Sequence, residues 1–424
     1  MYFEISNPSA LVSEAPEVRV VNLESGSHVT LRAEAIDAGN ERWTSSATFI
    51  VPDSRMLELS VNAPESGSYT GIDANGLIWS LRPRDDLENA FFQPLELGFV
   101  PKVGFTVALT LELDGTILET ATLFRNARNV DIKRLEVRED GLVGTLFTPA
   151  NGGAHIGVLE LGGSEGKLYE SRAALLASQG FAVLALGYFD LPGLPDQLIN
   201  LPLEYFERAL KWLKARPEVT SERVGVIGTS KGGEAALLIG ATYPELVGGV
   251  VGVVPGGLVF EGIDRANVHP AGTPMSSWSL EGAPVPYVPY TVKDWSEYFS
   301  QPPPVRLTPA HIEAVERCDP ATLEAARIRV EQIQTPVLLV SGGDDSIWQS
   351  YDLSLIAQRT LEAHGREVQH ITDKDAGHYL SLPGFPTFVR SPWGDGGGTP
   401  VGNARVQSAG WARALELLRA GSRG

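Results

Sequence analysis

The stretch RVGVIGTSKGGEAALLIGATYP, residues 223–244, decides the predicted fold. It opens with an apolar run of the length of a buried strand and closes with a run typical of a helix. The turn between them, GTSKGG at residues 228–233, matches G-x-S-x-G, a motif that also arises by chance. In this setting, however, a serine projects into the crevice at the sheet edge, and the helix N-terminus favours negative charge beside it. Ser230 is therefore the candidate nucleophile.

A serine hydroxyl needs a neighbouring base, and the base needs an orienting acid. Candidates for both follow later in the chain, because PVLLVSGGDDSIW ends in a turn with Asp344 and Asp345, and VQHITDKDAGHYL ends in a turn with His378. The order Ser, Asp, His is the one expected for an α/β-hydrolase. We predict Asp345 as the acid because it lies on the second half of its turn, and Asp344 is the alternate.

Acyl transfer also requires hydrogen-bond donors for a developing oxyanion, and backbone N–H groups are the usual source. We predict that the amide of Lys231, next after the nucleophile, is one donor. The turn GGSEG, residues 162–166, follows the first parallel strand and offers Gly163 and Ser164 as the others. This turn is not a phosphate-binding P-loop, because its spacing is one residue short and Leu168 stands where Ser or Thr is required.

Other catalytic chemistries have weaker signals. Asp373, Asp375 and His378 are close in sequence, but no helical His pair or EF-hand spacing accompanies them, so we predict no metal and no cofactor. Asp344 and Asp345 could serve glycoside cleavage, although adjacent residues rarely flank one bond from opposite sides. The remaining histidines are expected to be surface or packing residues: His28, His155, His269, His311, His364 and His370.

The C-terminal two thirds of the chain alternates between apolar and amphipathic runs. The strand-like runs are IGVLEL, FAVLALG, RVGVIG, VGGVVGVV, PVLLVSG and VQHITD, and the helix-like runs include LYESRAALLASQG, PLEYFERALKWLKAR, GGEAALLIGATYP and YDLSLIAQRTLEAHG. This alternation predicts a doubly wound, mainly parallel sheet with helices on both faces and ligands beyond the carboxyl ends of the strands. Residues 136–424 are predicted to form this α/β-hydrolase domain.

Residues 1–135 have a different pattern. Runs of alternating apolar and polar residues, such as HVTLRAEA and VGFTVALTLEL, are separated by turns, without a convincing helical period. They predict an antiparallel β-sandwich of immunoglobulin-like size, either purely structural or also shaping the active site. An aromatic-rich, Gly/Pro-rich stretch at about 255–330 is predicted to be a cap or lid, and a surface excursion packed on the scaffold is the alternative.

Charge and cysteine content bear on other classes of function. The formal net charge of -18 is spread along the chain without a basic arm, which argues against a nucleic-acid surface. Cys318 is the only cysteine, which rules out an intrachain disulfide and suits a reducing compartment. Because the N-terminus lacks a secretory pattern and no apolar run reaches membrane-spanning length, we expect a cytoplasmic protein outside the membrane.

Several long segments are too distinctive for coincidence. They are GSYTGIDANGLIWSLRP, GTLFTP, YESRAALLASQGFAVLALGYFDLPGLP, LEYFERALKWL, VGVIGTSKGGE, GGDDSIW, AHGR and GHYLSLPGFP. Together they resemble the family of type I acyl-CoA thioesterases and bile acid-CoA:amino acid N-acyltransferases. The resemblance implies a β-sandwich followed by an α/β-hydrolase domain. It places the nucleophile on Ser230, the acid on Asp345 and the base on His378, the same residues that the motifs indicate.

The resemblance implies a serine hydrolase that cleaves acyl-CoA thioesters to free acid and CoA through an acyl-enzyme. The N-acyltransferases that it resembles carry a cysteine nucleophile, so a serine favours hydrolysis over conjugation. Three alternatives stay open: acyl transfer to an amine or alcohol, carboxylesterase action on oxygen esters, and a non-catalytic binding protein of the same fold. The acyl group and the oligomeric state stay open as well.

Overall fold

Two groups of β-sheets make up most of the described chain. A computed structural model describes residues 1–83, 92, 104–264, 275–292, 295, 300, 305–380, 382–391 and 394–421. His269 and parts of the predicted cap lie outside these ranges. The first group of sheets occupies the N-terminal region, and the second begins near residue 133.

The N-terminal region is built from short strands in two sheets. One sheet contains Tyr2–Ile5, Val18–Val21 and Leu57–Glu58, and the other contains Ser9–Leu11, His28–Ile36, Arg42–Ile50, Ser66–Gly67, Arg82–Pro83, Gly104–Leu113 and Thr116–Asn126. Burial alternates along the longer strands, and both sheets contribute side chains to one apolar core. Residues Gly76–Trp79 form a short helix, in a region where the sequence predicted only strands. The immunoglobulin-like sandwich stays a prediction.

The C-terminal region is organised around one eight-stranded sheet. Its strands in chain order are β1 (Lys133–Val137), β2 (Val143–Thr148), β3 (Ile156–Leu161), β4 (Phe181–Gly187), β5 (Val224–Thr229), β6 (Val247–Val253), β7 (Val337–Gly342) and β8 (Val368–Asp373). Their spatial order is β1-β2-β4-β3-β5-β6-β7-β8. The pairings from β4 to β8 are parallel, and only those of β1 with β2 and β2 with β4 are antiparallel. The six predicted strands and the mainly parallel sheet are confirmed.

Helices cover both faces of this sheet. They are α1 (Glu170–Ser178), α2 (Leu203–Lys214), α3 (Lys231–Thr242), α4 (Ser350–Ala363) and α5 (Pro400–Gly421). Neighbouring residues of β3 belong to different apolar clusters, since Val158 packs with side chains of α1 and α5 whereas Leu159 packs with those of α2, α3 and α4. Because side chains alternate across a strand, the two clusters mark the two faces. The doubly wound arrangement predicted from the sequence is confirmed in this respect.

The predicted boundary between the regions falls inside a strand. The strand β1 spans the predicted boundary at 135/136 and pairs with β2 in the larger sheet. The hairpin formed by β1 and β2 is therefore part of the C-terminal sheet. The division of the chain into domains at this residue stays a prediction.

Short elements lie outside the two main groups of sheets and the five helices. They are the strands Leu201–Pro202, Trp278–Leu280, Ala283–Pro284, Arg390–Ser391 and Gly394–Asp395, the helices Thr308–Arg317 and Pro320–Ala325, and the 3-10 turn Val330–Gln332. Two aromatic side chains of the predicted cap pack on the scaffold, because Trp278 is fully buried beside Phe206 of α2 and Phe260 is fully buried beside Trp348. This packing agrees with the alternative to a lid, and the lid itself stays a prediction.

Candidate active site

Ser230 lies on a sharp turn between a strand and a helix. β5 ends at Thr229 and α3 begins at Lys231, so Ser230 is the residue at the helix N-terminus. Its backbone has φ 56° and ψ -118°, a conformation that costs free energy in any residue with a Cβ. Glycine is needed at position 228, where the end of β5 passes close to the first turn of α3. A methyl group on Gly228 would collide with the carbonyl oxygen of Gly232. The GTSKGG sequence thus builds the turn that its motif predicted.

Asp345 and His378 are in direct contact. His378 Nδ1 lies 2.8 Å from Asp345 Oδ2 and 3.0 Å from Oδ1, and both side chains are buried. The amides of Ile347 and Trp348 donate to Asp345 Oδ1 and fix the carboxylate. Because an ionised carboxylate only accepts hydrogen bonds, the imidazole proton belongs on Nδ1, which leaves the Nε2 lone pair available as a base.

The alternate acid, Asp344, points elsewhere. Its side chain is about half exposed and pairs with Arg306 at 3.1 Å, and it accepts a hydrogen bond from the Gly398 amide. Neighbouring side chains on this turn therefore have separate partners. The geometry favours Asp345 over Asp344 as the partner of His378.

The candidate nucleophile and the Asp-His pair lie at the same edge of the sheet. Ser230 follows β5, whereas Asp345 and His378 follow β7 and β8. Trp348 contacts both the segment after β6 and His378. Its indole N–H donates to the carbonyl oxygen of Val254, and its ring centroid lies 6.5 Å from that of His378. Within the described residues the Ser230 hydroxyl makes no hydrogen bond to His378, a contact that often tightens only when substrate binds.

The predicted oxyanion donors lie around Ser230. A methyl group on Gly163 would stand 3.4 Å from Ser230 Cβ, which places the turn after β3 directly beside the nucleophile, with Ser164 next in that turn. As the first residue of α3, Lys231 has a backbone N–H without an intrahelical acceptor. The Gly163 amide already has an acceptor, because it donates to Glu165 Oε1 at 3.3 Å. The sequence did not predict this carboxylate contact, although an acidic residue inside a Gly-rich turn is a signal for it.

The side chain of Lys231 forms a hydrogen bond between α3 and the predicted cap. Its ammonium group lies 3.1 Å from both oxygens of Glu234 and 2.8 Å from Ser277 Oγ, and the indole of Trp278 donates to Glu234 at 2.7 Å. Burial lowers the pKa of Lys231 and raises the pKa of Glu234, and the attraction between the two charges opposes both shifts. The ion pair therefore depends on both partners being present.

Glu234→Gln is expected to destabilise the fold, because it leaves the Lys231 ammonium buried without its counter-charge. Removing one partner of a buried pair costs about 3–5 kcal/mol. The control Glu207→Gln breaks the exposed pair with Lys211 and should change the free energy of unfolding by about 0.5 kcal/mol or less. Urea unfolding followed by fluorescence measures both, and equal midpoints for the two variants would contradict the expectation.

An aromatic cluster borders the Asp-His pair. The rings of Phe260, Tyr290 and Trp348 surround His311 at centroid distances of 5.2 to 6.0 Å, and Trp348 lies between His311 and His378. Burial lowers the pKa of His311 to about 4, so this imidazole is neutral at pH 7. Its packing role agrees with the sequence prediction.

Two other features are absent from the described part of the chain. Among these residues, no cluster of three or more His, Cys, Asp and Glu side chains is arranged to hold a metal ion. Within the same ranges, no helix combines the length and apolar character needed to span a membrane.

Two family descriptions match this chain. Residues 13–139 match the acyl-CoA thioester hydrolase/BAAT N-terminal region, and residues 201–420 match the BAAT/acyl-CoA thioester hydrolase C-terminal region. Acyl-coenzyme A thioesterase 1 of Homo sapiens is 30% identical over 420 residues, which cover 94% of this chain and 91% of that protein. Mitochondrial acyl-coenzyme A thioesterase 2 of Homo sapiens is 30% identical over 94% of this chain and 79% of that protein.

Solved structures of other hydrolases are more distant. The 2,6-dihydroxy-pseudo-oxynicotine hydrolase has a TM-score of 0.40 at 16% identity and covers 69% of this chain and 70% of its own. An esterase/lipase from an uncultured bacterium has a TM-score of 0.40 at 14% identity, with 70% and 87% covered. The sequence matches are the decisive ones, and by them this chain belongs to the acyl-CoA thioester hydrolase/BAAT family.

Proposed function

We propose that this protein is a serine hydrolase that cleaves acyl-CoA thioesters to free acid and CoA. The observation that carries the proposal is the contact between His378 Nδ1 and Asp345, at 2.8 Å, at the same sheet edge as Ser230 on its turn. Membership of the acyl-CoA thioester hydrolase/BAAT family supports the thioester as the scissile bond. The relatives named as acyl-CoA thioesterases support the same substrate class.

In the proposed reaction, Ser230 Oγ attacks the thioester carbonyl while His378 Nε2 takes its proton. Asp345 holds the imidazole and stabilises the imidazolium, and the negative charge develops on the former carbonyl oxygen. Collapse of the tetrahedral intermediate breaks the C–S bond, and CoA leaves as the thiol with the proton from His378. Water then attacks the acyl-enzyme with His378 as base, which releases the acid.

The oxyanion is proposed to sit beside the N-terminus of α3. Lys231 contributes its backbone amide there, and the helix dipole adds a favourable field for negative charge. The turn after β3 contributes Gly163 and Ser164 from the opposite side, since Gly163 packs beside Ser230 Cβ. No cofactor takes part in any of these steps.

The acyl group is proposed to meet the aromatic cluster around His311. Trp348 presents its ring to His378 on one side and to His311 on the other, so an apolar chain bound near the base would contact an apolar surface. Oxygen esters would use the same triad, which keeps carboxylesterase action as the second candidate function. The cytoplasmic location is proposed on the sequence alone.

Hydrolysis is expected to outcompete transfer of the acyl group to an acceptor. With an acyl-CoA as substrate, the amount of free acid should equal the amount of CoA thiol released, even when glycine, taurine or an alcohol is added in millimolar excess. The reason is that water is the group that attacks the acyl-enzyme in the proposed reaction. Mass spectrometry of the products alongside a thiol assay measures both yields. An amide or ester product that replaces most of the free acid would make the protein an acyltransferase.

A further inference from the structure

One of the backbone amides proposed to stabilise the oxyanion already donates a hydrogen bond to a carboxylate. Glu165 lies in the turn after β3, two residues beyond Gly163, and is half-buried. The Gly163 N–H donates to Glu165 Oε1 at 3.3 Å. An amide that already donates to a carboxylate is less available to a second anion, so this contact bears directly on the reaction.

The second oxygen of Glu165 and the side chain of Ser230 both border Gly163. A methyl group on Gly163 would stand 2.8 Å from Glu165 Oε2 and 3.4 Å from Ser230 Cβ, so the carboxylate and the nucleophile flank the same face of Gly163. The charge of Glu165 also reaches the residue after the candidate base, because burial raises the pKa of Tyr379 and Glu165 adds to that shift. Glu165 is therefore part of the candidate active site.

Hydrogen bonds hold the Glu165 carboxylate. In the described part of the chain, no lysine or arginine forms an ion pair with this carboxylate. Besides the Gly163 amide, the Tyr169 hydroxyl hydrogen-bonds to it, and after burial, the main cause, the charge of Glu165 and this bond add to raising the pKa of that phenol. The oxyanion that develops on the former carbonyl oxygen would compete for the same amide and would be repelled by the like charge of Glu165.

We propose that Glu165 is a displaceable carboxylate that competes with the oxyanion for the Gly163 amide and thereby limits the rate of attack by Ser230. This inference rests on the proposed function, in which Ser230 is the nucleophile and Gly163 an oxyanion donor. Substrate must move the Glu165 side chain aside before the tetrahedral intermediate is stabilised. Acyl groups that are themselves negatively charged near the carbonyl are disfavoured for the same reason.

The test compares the full-length wild type with Glu165→Gln and Glu165→Ala. Glu222→Gln is the matched control, because Glu222 is exposed and precedes β5 at the end opposite Ser230. The probe is a p-nitrophenyl alkylphosphonate. Ser230 Oγ bonds to phosphorus, the bond to p-nitrophenolate breaks, and His378 takes the serine proton, so the coloured burst reports one anionic tetrahedral adduct.

Both Glu165 variants are expected to react about tenfold faster than wild type, because a like charge near the developing anion is removed and, in the alanine variant, the amide is freed. Glu222→Gln should react at the wild-type rate, and all four proteins should share one urea midpoint. Rates for the Glu165 variants that equal or fall below wild type would overturn this inference and leave Ser230 as nucleophile. Absence of a burst in wild type would overturn the proposed function as well.

Discussion

Ser230→Ala is expected to lower kcat for acyl-CoA hydrolysis by on the order of a thousandfold or more, with little change in substrate binding. The reason is that alanine keeps the turn but removes the only oxygen placed there to attack the carbonyl. Serine and alanine both have a Cβ and bear the same conformational cost at a φ of 56°, so the fold should survive the change. Steady-state release of CoA thiol measures the effect.

The control for this variant is a second serine in contact with a histidine. Ser341 Oγ lies 2.7 Å from His370 Nε2, but Ser341 is fully buried inside β7 and out of reach of a substrate. Ser341→Ala should therefore change kcat by less than about threefold, as expected for a group outside the reaction. A loss below about tenfold for Ser230→Ala would remove Ser230 from the mechanism, since triad members act as a unit.

Asp345→Asn is expected to reduce kcat by roughly a thousandfold to ten-thousandfold. The amide keeps the size of the side chain but no longer stabilises the imidazolium, and its NH2 group favours the tautomer with the proton on Nε2. The Nδ1 contact of 2.8 Å to Asp345 makes this loss direct. kcat and KM measured together should show the loss in kcat.

Asp344→Asn is the matched comparison for Asp345→Asn. It makes the same chemical change one residue earlier, where the carboxylate is partly exposed and pairs with Arg306. Its activity should stay within about threefold of wild type, because surface pairs contribute little. If Asp344→Asn lowered kcat far more than Asp345→Asn, the roles assigned to the two aspartates would be reversed.

The central strands of the larger sheet could be predicted because they are short apolar runs bounded by glycines or charged turns. Val224–Thr229 and Val337–Gly342 are buried on both faces, as central strands of a parallel sheet must be. α5, Pro400–Gly421, was not among the predicted helices. Its run contains Gly402 and Gly410, which pack against neighbouring segments and lower the helical signal.

The candidate triad could be predicted because its members follow strands that end at one edge. Chain order and turn position indicate Ser230, Asp345 and His378, and the structure places Asp345 rather than Asp344 against the histidine. The contact of Glu165 with Gly163 depends on side-chain direction inside one turn, which sequence spacing does not determine. An acidic residue inside a Gly-rich turn indicates that such a local contact can form, and the folded chain shows that it does.

The hydrogen bonds between α3 and residues 277–278 could not be predicted from the sequence either. Lys231 was predicted only as a backbone donor, yet its side chain pairs with Glu234 and contacts Ser277, which is 46 residues away in the chain. A lysine beside a nucleophile would ordinarily be read as exposed. Burial with a carboxylate three residues later on the same helix explains the difference.

The most direct test of the account is turnover of CoA thioesters of graded acyl length beside matched p-nitrophenyl esters, with wild type and Ser230→Ala in parallel. Wild type is expected to have the higher kcat/KM for the thioesters and to prefer one acyl length, and Ser230→Ala is expected to lose both activities. Cleavage of the oxygen esters alone by wild type would contradict the thioester assignment.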